Sequence, residues 1–156
     1  MVCLGNICRS PMAAVVGRAM VEEAGLGERF LVESFGTAGY HVGEAADRRA
    51  VAALRRRGWP AGDAHRARRI TPDDVADCEL VLCADRSNVD QVLRLVRGPR
   101  DRSHIQLLRS FDPAAPPGDD EVPDPWGGDS SDFDHTLELI EAACRGLVER
   151  LAVAVR

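Results

Sequence analysis

The sequence predicts an α/β fold, a parallel sheet with helices packed on both faces. Three observations carry the prediction. Apolar segments of strand length alternate with segments of helical periodicity along the whole chain. One of them, "ELVLCA" (79–84), is a continuous apolar run of the kind that strands buried on both faces show. The chain also opens on a glycine turn running into a helix, "VCLGNICRSPM", and folds of this class bind ligands at the carboxyl ends of strands. At 156 residues the chain reads as one domain, 1–156, able to bury a sizeable core.

Each element has its own signal. Ser10 is expected to cap the first helix, with Pro11 in its first turn; Met12, Val15, Val16, Ala19, Met20 and Ala24 then recur at helical spacing until Gly25 ends the run. "FLVESF" (30–35) reads as a strand and "GTAGYHVGEA" (36–45) as a glycine-rich loop. "ADRRAVAALRRRG" (46–58) is a helix closed by Gly58, and "TPDDVADC" (71–78) a short one with Thr71 as cap and Pro72 at its first position. After the buried strand come a helix, "RSNVDQVLRLVRG" (86–98), and a short strand, "HIQLL" (104–108). Phe133, Leu137, Ile140, Cys144, Leu147, Leu151 and Val155 lie three or four apart, which predicts a long terminal helix. Before it lies "FDPAAPPGDDEVPDPWGGD" (111–129), which holds five of the nine prolines. Irregular segments of that length in a compact domain are usually functional or disordered.

Composition excludes several classes. No apolar run is long enough to span a bilayer and no basic, apolar export segment opens the chain, so the expectation is a cytoplasmic protein without membrane attachment. Five cysteines (Cys3, Cys8, Cys78, Cys83 and Cys144), an odd number, argue against a disulfide framework. None forms a CxxC pair, and no His-rich cluster offers zinc spacing, so no metal is expected. A net charge of −5 argues against nucleic acid as a partner. The eight arginines between Arg48 and Arg69 read as solvated helix faces.

The opening loop carries the chemistry. A turn that delivers unpaired backbone N–H groups into a helix N-terminus is an anion site. Gly5 lets the backbone approach a phosphate, successive amides can form a nest, and Arg9 adds a planar fork for two phosphate oxygens. The same positive field favours the thiolate form of a cysteine at the loop's start, Cys3. A thiolate held against a phosphate monoester is placed to attack phosphorus. Ser10 can donate to the thiolate when it leaves, and Asp124, in "PDPWGG", is the natural acid for the departing alcohol or phenol. Taken singly, a buried cysteine beside a glycine turn is only a small apolar residue; the ordered string and the later acidic loop give it a role.

These residues resemble a known family. "CLGNICRSPMA" resembles the signature loop of the low-molecular-weight protein tyrosine phosphatases, and "VPDPWGGDSSDF" resembles their general-acid loop. "SFGTAGYHVGEAADRRAV", "AHRARRITPDD" and "LVLCADRSN" match the intermediate stretches in order, so the resemblance spans essentially the whole chain. It is strongest to bacterial members whose acid loop follows "LLRSFDP". The resemblance implies a four-stranded parallel sheet flanked by helices, a phosphate loop at 3–10, an acid loop at 111–129 and no cofactor. It implies a phosphatase acting on phosphotyrosine through a phosphocysteine intermediate.

By matching motif, Cys3 is implied as nucleophile, Arg9 as phosphate ligand and Asp124 as acid and then base. Leu4, Gly5, Asn6, Ile7, Cys8, Arg9 and Ser10 would bind phosphate, and Asn6, Ser10, Ser34 and His65 would brace the loop. Tyr40, His41 and Trp126 stand where the family places walls for the phenyl ring; without the resemblance, packing is an equal reading of each aromatic. Cys8 matches a second family cysteine that forms a protective, reversible disulfide with the nucleophile. The implied partner is a phosphotyrosine protein, a bacterial tyrosine kinase among the candidates, with the enzyme a monomer or weak dimer.

Two features depart from the family. Trp126-Gly127 stands where two adjacent tyrosines are common, which alters one aromatic wall and loses the other. Only Met1 and Val2 precede Cys3, whereas the family's nucleophile ends a longer central strand. The expectation is a truncated first strand in a natural protein that begins upstream, with a chain extended by about five apolar residues the more stable one. Rival readings are a thioredoxin-coupled arsenate reductase, which needs redox cysteines near Cys83, a protein arginine phosphatase, which tends to carry Thr in place of Ile7, and an inactive phosphate-binding module.

Overall fold

Four short parallel strands form one sheet in the order β2-β1-β3-β4: β1 (Val2–Cys3), β2 (Phe35–Gly36), β3 (Val81–Cys83) and β4 (Ile105–Leu107). The computed structural model describes residues 1–61, 64–98 and 102–155. The α/β class and the four parallel strands agree with expectation. β1 is central and has two residues, with Val2 paired to Phe35 on one side and Cys83 on the other.

Strand alternation divides the core. Cys3 and Leu82 face one side with Met12, Val16, Leu54, Phe133, Leu137 and Ile140, contributed by α1 (Arg9–Glu23), α2 (Arg48–Arg56) and α5 (Ser130–Ala154). Val2, Val81 and Cys83 face the other with Val75 of α3 (Pro72–Asp77) and Val92 of α4 (Arg86–Leu93). Burial of both faces is why β3 reads as an unbroken apolar run.

Helix starts follow local chemistry. Thr71 and Asp74 form a capping box at α3, Asp85 and Asn88 at α4, and Asp129 and Asp132 at α5. The last box starts α5 at Ser130, three residues before its first apolar anchor, Phe133. α1 differs from expectation. Ser10 is not its cap; the helix starts at Arg9 with Cys8 at the N-cap, and Ser10 lies inside the first turn.

Other boundaries shrink. Of "FLVESF" only Phe35, with Gly36, is strand, because the ladder beside it runs through Met1 to Cys3: Phe35 donates to the Met1 carbonyl and Thr37 to that of Cys3. α4 ends at Leu93 rather than 98, in turns closed by Leu95 and Val96 amides. Leu108 leaves the predicted strand for a 3-10 turn, Leu108–Phe111, that leads into the proline-rich segment. Among the described residues, no helix is long and apolar enough to cross a membrane.

Candidate active site

The loop from Leu4 to Cys8 joins the carboxyl end of β1 to α1. To turn that tightly the chain places Asn6 at φ +56°, in the left-handed region that non-glycine residues rarely enter. Asn6 is fully buried, and its side chain makes three hydrogen bonds. Its Nδ2 donates to Ser10 Oγ at 2.8 Å and Ser34 Oγ at 3.0 Å, and its Oδ1 accepts from the Arg68 amide at 2.9 Å. His65 Nε2 lies 2.7 Å from the Asn6 carbonyl, a contact that requires the Nε2–H tautomer. Burial, seconded by Arg18, Arg68 and Arg66, lowers the pKa of His65 against that hydrogen bond, so the ring is neutral. The four residues expected to brace the loop therefore form one network beneath it.

Close approach from β2 completes the mould. A Cβ at Gly36 would stand 2.8 Å from the Leu4 carbonyl oxygen and 3.1 Å from the Gly5 carbonyl carbon, both backbone. Only glycine lets β2 pass that near the loop. Cys8 at the N-cap makes no side-chain capping bond and the first turn of α1 holds no acid, so its leading amides keep the potential of an anion site.

Cys3 is 3% exposed, with Sγ 3.0 Å from Ser10 Oγ. Ser10 Oγ also lies 3.1 Å from the Phe35 carbonyl. The hydroxyl has one proton: it goes to Phe35 when Cys3 is a thiol and to Sγ when Cys3 is a thiolate, so Ser10 follows the charge of its neighbour. Arg9 is 3% exposed. Its Nη1 donates to Asp85 Oδ2 at 2.7 Å and the Val122 carbonyl at 3.0 Å, and its Nη2 to Asp124 Oδ2 at 3.2 Å. Asp124 Oδ1 accepts from the Trp126 amide at 3.1 Å, and the carboxylate is 43% exposed.

These groups open on one cleft of about 240 Å³. Cys3, Leu4, Gly5, Ile7, Cys8 and Arg9 line its floor, and Tyr40, His41, Asp124 and Trp126 its walls. Tyr40 and Trp126 are largely exposed, and His41 is held by Glu44, Nδ1 to Oε2 at 2.8 Å. The structure thus places every sequence-predicted site residue either in the cleft or in the network below it. Cys8 is buried, and burial first, then the Asp47 and Cys3 charges, push its thiol pKa up. Among the described residues, no group of three His, Cys, Asp or Glu side chains is arranged to hold a metal.

Sequence reasoning missed Asp85, which orients Arg9, and Gly36, which admits β2. It also missed Arg68, whose amide binds Asn6 and whose guanidinium lies 4.1 Å over Phe35. The only local signal for Asp85 was an acid preceding a helix, which reads as an ordinary cap. It is indeed that cap, its Oδ1 accepting from the Asn88 amide at 2.8 Å, while Oδ2 serves Arg9.

Comparison with known proteins agrees with this geometry. The family model described as low molecular weight phosphotyrosine protein phosphatase matches residues 1–156. A low molecular weight protein-tyrosine-phosphatase of Streptomyces coelicolor is 45% identical over 147 residues, 94% of this chain and 88% of the relative. A crystal structure of a protein tyrosine phosphatase from Entamoeba histolytica, with Hepes in the active site, aligns with a TM-score of 0.91 at 29% identity; it covers 99% of this chain and 96% of that one. The tyrosine phosphatase Wzb from Escherichia coli K30, in complex with sulphate, aligns at 0.80 and 25% identity, covering 96% and 94%.

Proposed function

The chain belongs to the low molecular weight phosphotyrosine protein phosphatase family, and on that premise we propose that it hydrolyses phosphotyrosine through a phosphocysteine on Cys3. The observation that carries the reading is the convergence of Cys3, Arg9 and Asp124 on one cleft. A phosphate dianion settles on the amides of the loop and displaces Asp124 from Arg9 Nη2, while Asp85 and the Val122 carbonyl keep Nη1 and hold the guanidinium in plane. Released from Arg9, Asp124 takes up a proton from solvent. Cys3 Sγ then attacks phosphorus; the S–P bond forms as the bond to the phenolic oxygen breaks, and Asp124 gives that oxygen the proton it took up. Asp124, now ionised, then takes a proton from the water that attacks phosphorus. The S–P bond breaks, and the Ser10 hydroxyl turns from Phe35 to stabilise the departing thiolate. Loop amides and Arg9 stabilise the negative equatorial oxygens in both steps.

The ring of phosphotyrosine lies between Tyr40 and Trp126, with His41 beside it. A phosphorylated protein is the fitting substrate, since both aromatics stand at the exposed rim. No observation favours the rival reductase. Cys83 is fully buried, its thiol pushed up to about 12 chiefly by burial, and α4 contains no cysteine.

The test is hydrolysis of p-nitrophenyl phosphate in EDTA by the wild type, Cys3→Ser and Asp124→Asn. Cys3→Ser is expected to be inactive and Asp124→Asn slowed by roughly 10²-fold or more, the lower end of what a positioned acid supplies. Rapid quenching should trap phosphate on the protein, and its absence during turnover would sink the covalent route. Binding of a phosphotyrosine peptide without turnover would instead support the inactive module.

A further inference from the structure

The segment that presents Asp124 is held unevenly. From 113 to 118 its hydrogen bonds are local, such as the Ala114 amide to Asp112 Oδ1 at 2.9 Å. From Asp119 to Asp124 every residue is gripped from outside the segment. Asp119 Oδ1 accepts from Arg109 Nη1 at 2.8 Å, and the Glu121 carbonyl accepts from the same nitrogen at 3.2 Å. Arg86 takes Asp120 through Nη2 at 2.5 Å and Glu121 Oε1 through its backbone amide at 2.7 Å. The Val122 amide donates to the Ala84 carbonyl at 2.7 Å, and the Pro123 carbonyl accepts from Thr136 Oγ1 at 3.3 Å.

The two arginines outside the cleft differ in weight. Arg86 is exposed, and pairs in water contribute little. Arg109, on the 3-10 turn after β4, is 6% exposed, and a guanidinium that dry persists only among acceptors. Two of its acceptors belong to the acid-bearing strap. A third group, the Asp112 carboxylate 3.9 Å from Nε, stands at the root of the loop, so the guanidinium closes the proline arch between its ends.

Closure matters once the site is filled. In the empty cleft Arg9 Nη2 holds Asp124 directly, but that hold is lost when phosphate takes the nitrogen. What then sets the position of Asp124 is the strap ending at Val122 and Pro123. We propose that Arg109 is a positioning residue for the general acid: it fixes the strap at Asp119 and Glu121 and so the height of Asp124 over Cys3. This rests on the reading of Asp124 as the acid.

The experiment compares kcat/KM on phenyl phosphate, whose leaving group needs a proton, with 2,4-dinitrophenyl phosphate, whose leaving group does not. Wild type, Arg109→Met, Arg109→Lys, Asp119→Asn and Asp124→Asn are measured together. Arg109→Met is expected to lose about tenfold on phenyl phosphate, part of what a positioned acid supplies, and less than about twofold on the activated ester. Arg109→Lys should recover part of the loss, and Asp119→Asn should shift in the same direction by less. Equal losses on both esters, or none, would make Arg109 merely structural and overturn the proposal. If Asp124→Asn itself showed no such selectivity, the reading of the acid would fail and the proposal with it. Should Arg109→Met not fold, Arg109→Lys and Asp119→Asn decide, the latter at a side chain 63% exposed.

Discussion

Replacing Asn6 by alanine tests whether the phosphate loop is held from beneath. The substitution removes three hydrogen bonds, to Ser10, Ser34 and the Arg68 amide, at a fully buried position. At about 1 kcal/mol net for each bond the loss is about 3 kcal/mol. Holding alanine at φ +56° adds a further ~1–2 kcal/mol. The sum, about 4–5 kcal/mol, is a large fraction of the roughly 5–15 kcal/mol that holds a domain folded. Glycine at the same position loses the same bonds but not the strain. The relief of ~1–2 kcal/mol exceeds the ~0.4–1 kcal/mol of extra freedom that glycine has when unfolded. Asn6→Gly should therefore be more stable than Asn6→Ala, by up to about 1.5 kcal/mol, while both lose activity. Urea unfolding in EDTA and thiol, with initial rates on p-nitrophenyl phosphate, reads both quantities. An alanine variant within about 1 kcal/mol of wild type, or a glycine variant below alanine, would refute the reasoning.

Three further outcomes are expected. The pKa of His65 is lowered on folding, so the unfolded chain takes up the proton first; its contribution to stability is intact above the unfolded value of 6.5 and is lost as pH falls from there through the folded value. Unfolding midpoints between pH 7 and 5 should show that slope, and His65→Gln should flatten it. Gly36→Ala drives a Cβ into the Leu4 carbonyl, so kcat/KM should fall about tenfold or more through displacement of the loop, with an unchanged rate the contrary result. Cys8, its thiol pushed up by burial, should escape iodoacetamide at pH 7 while Cys3 is alkylated; if Cys8 protects Cys3, thiol reductant should restore peroxide-treated wild type but not Cys8→Ser.

How far the site could be read depended on where its parts lie in the chain. Cys3, Gly5 and Arg9 are legible because cysteine, turn and cation share one short string, and Asp124 because prolines and acids mark its segment. Asp85 was not, because its partner is 76 positions away and its local pattern is that of any helix cap. Ser10 misled for the opposite reason. Serine before proline at a helix start signals a cap, but the αL turn at Asn6 carries Ser10 under Cys3, and the cap falls two residues earlier, at Cys8. Strand lengths were misjudged because an apolar run records burial, whereas a strand also needs a neighbour to pair with, and the ladder beside Phe35 is short.

The ion pair between Arg9 and Asp124 gives ligand binding the character of an exchange. An anion arriving at the empty cleft meets an arginine already occupied by a carboxylate of the protein. A simple carboxylic acid would swap one carboxylate for another and gain little from that nitrogen. A dianion, or an oxyanion with oxygens in three directions, brings more charge and more acceptors than the side chain it evicts. On the proposed function, the empty pocket should thereby discriminate against the abundant monoanions of a cell, and on product departure the same side chain should return to rival phosphate for its seat.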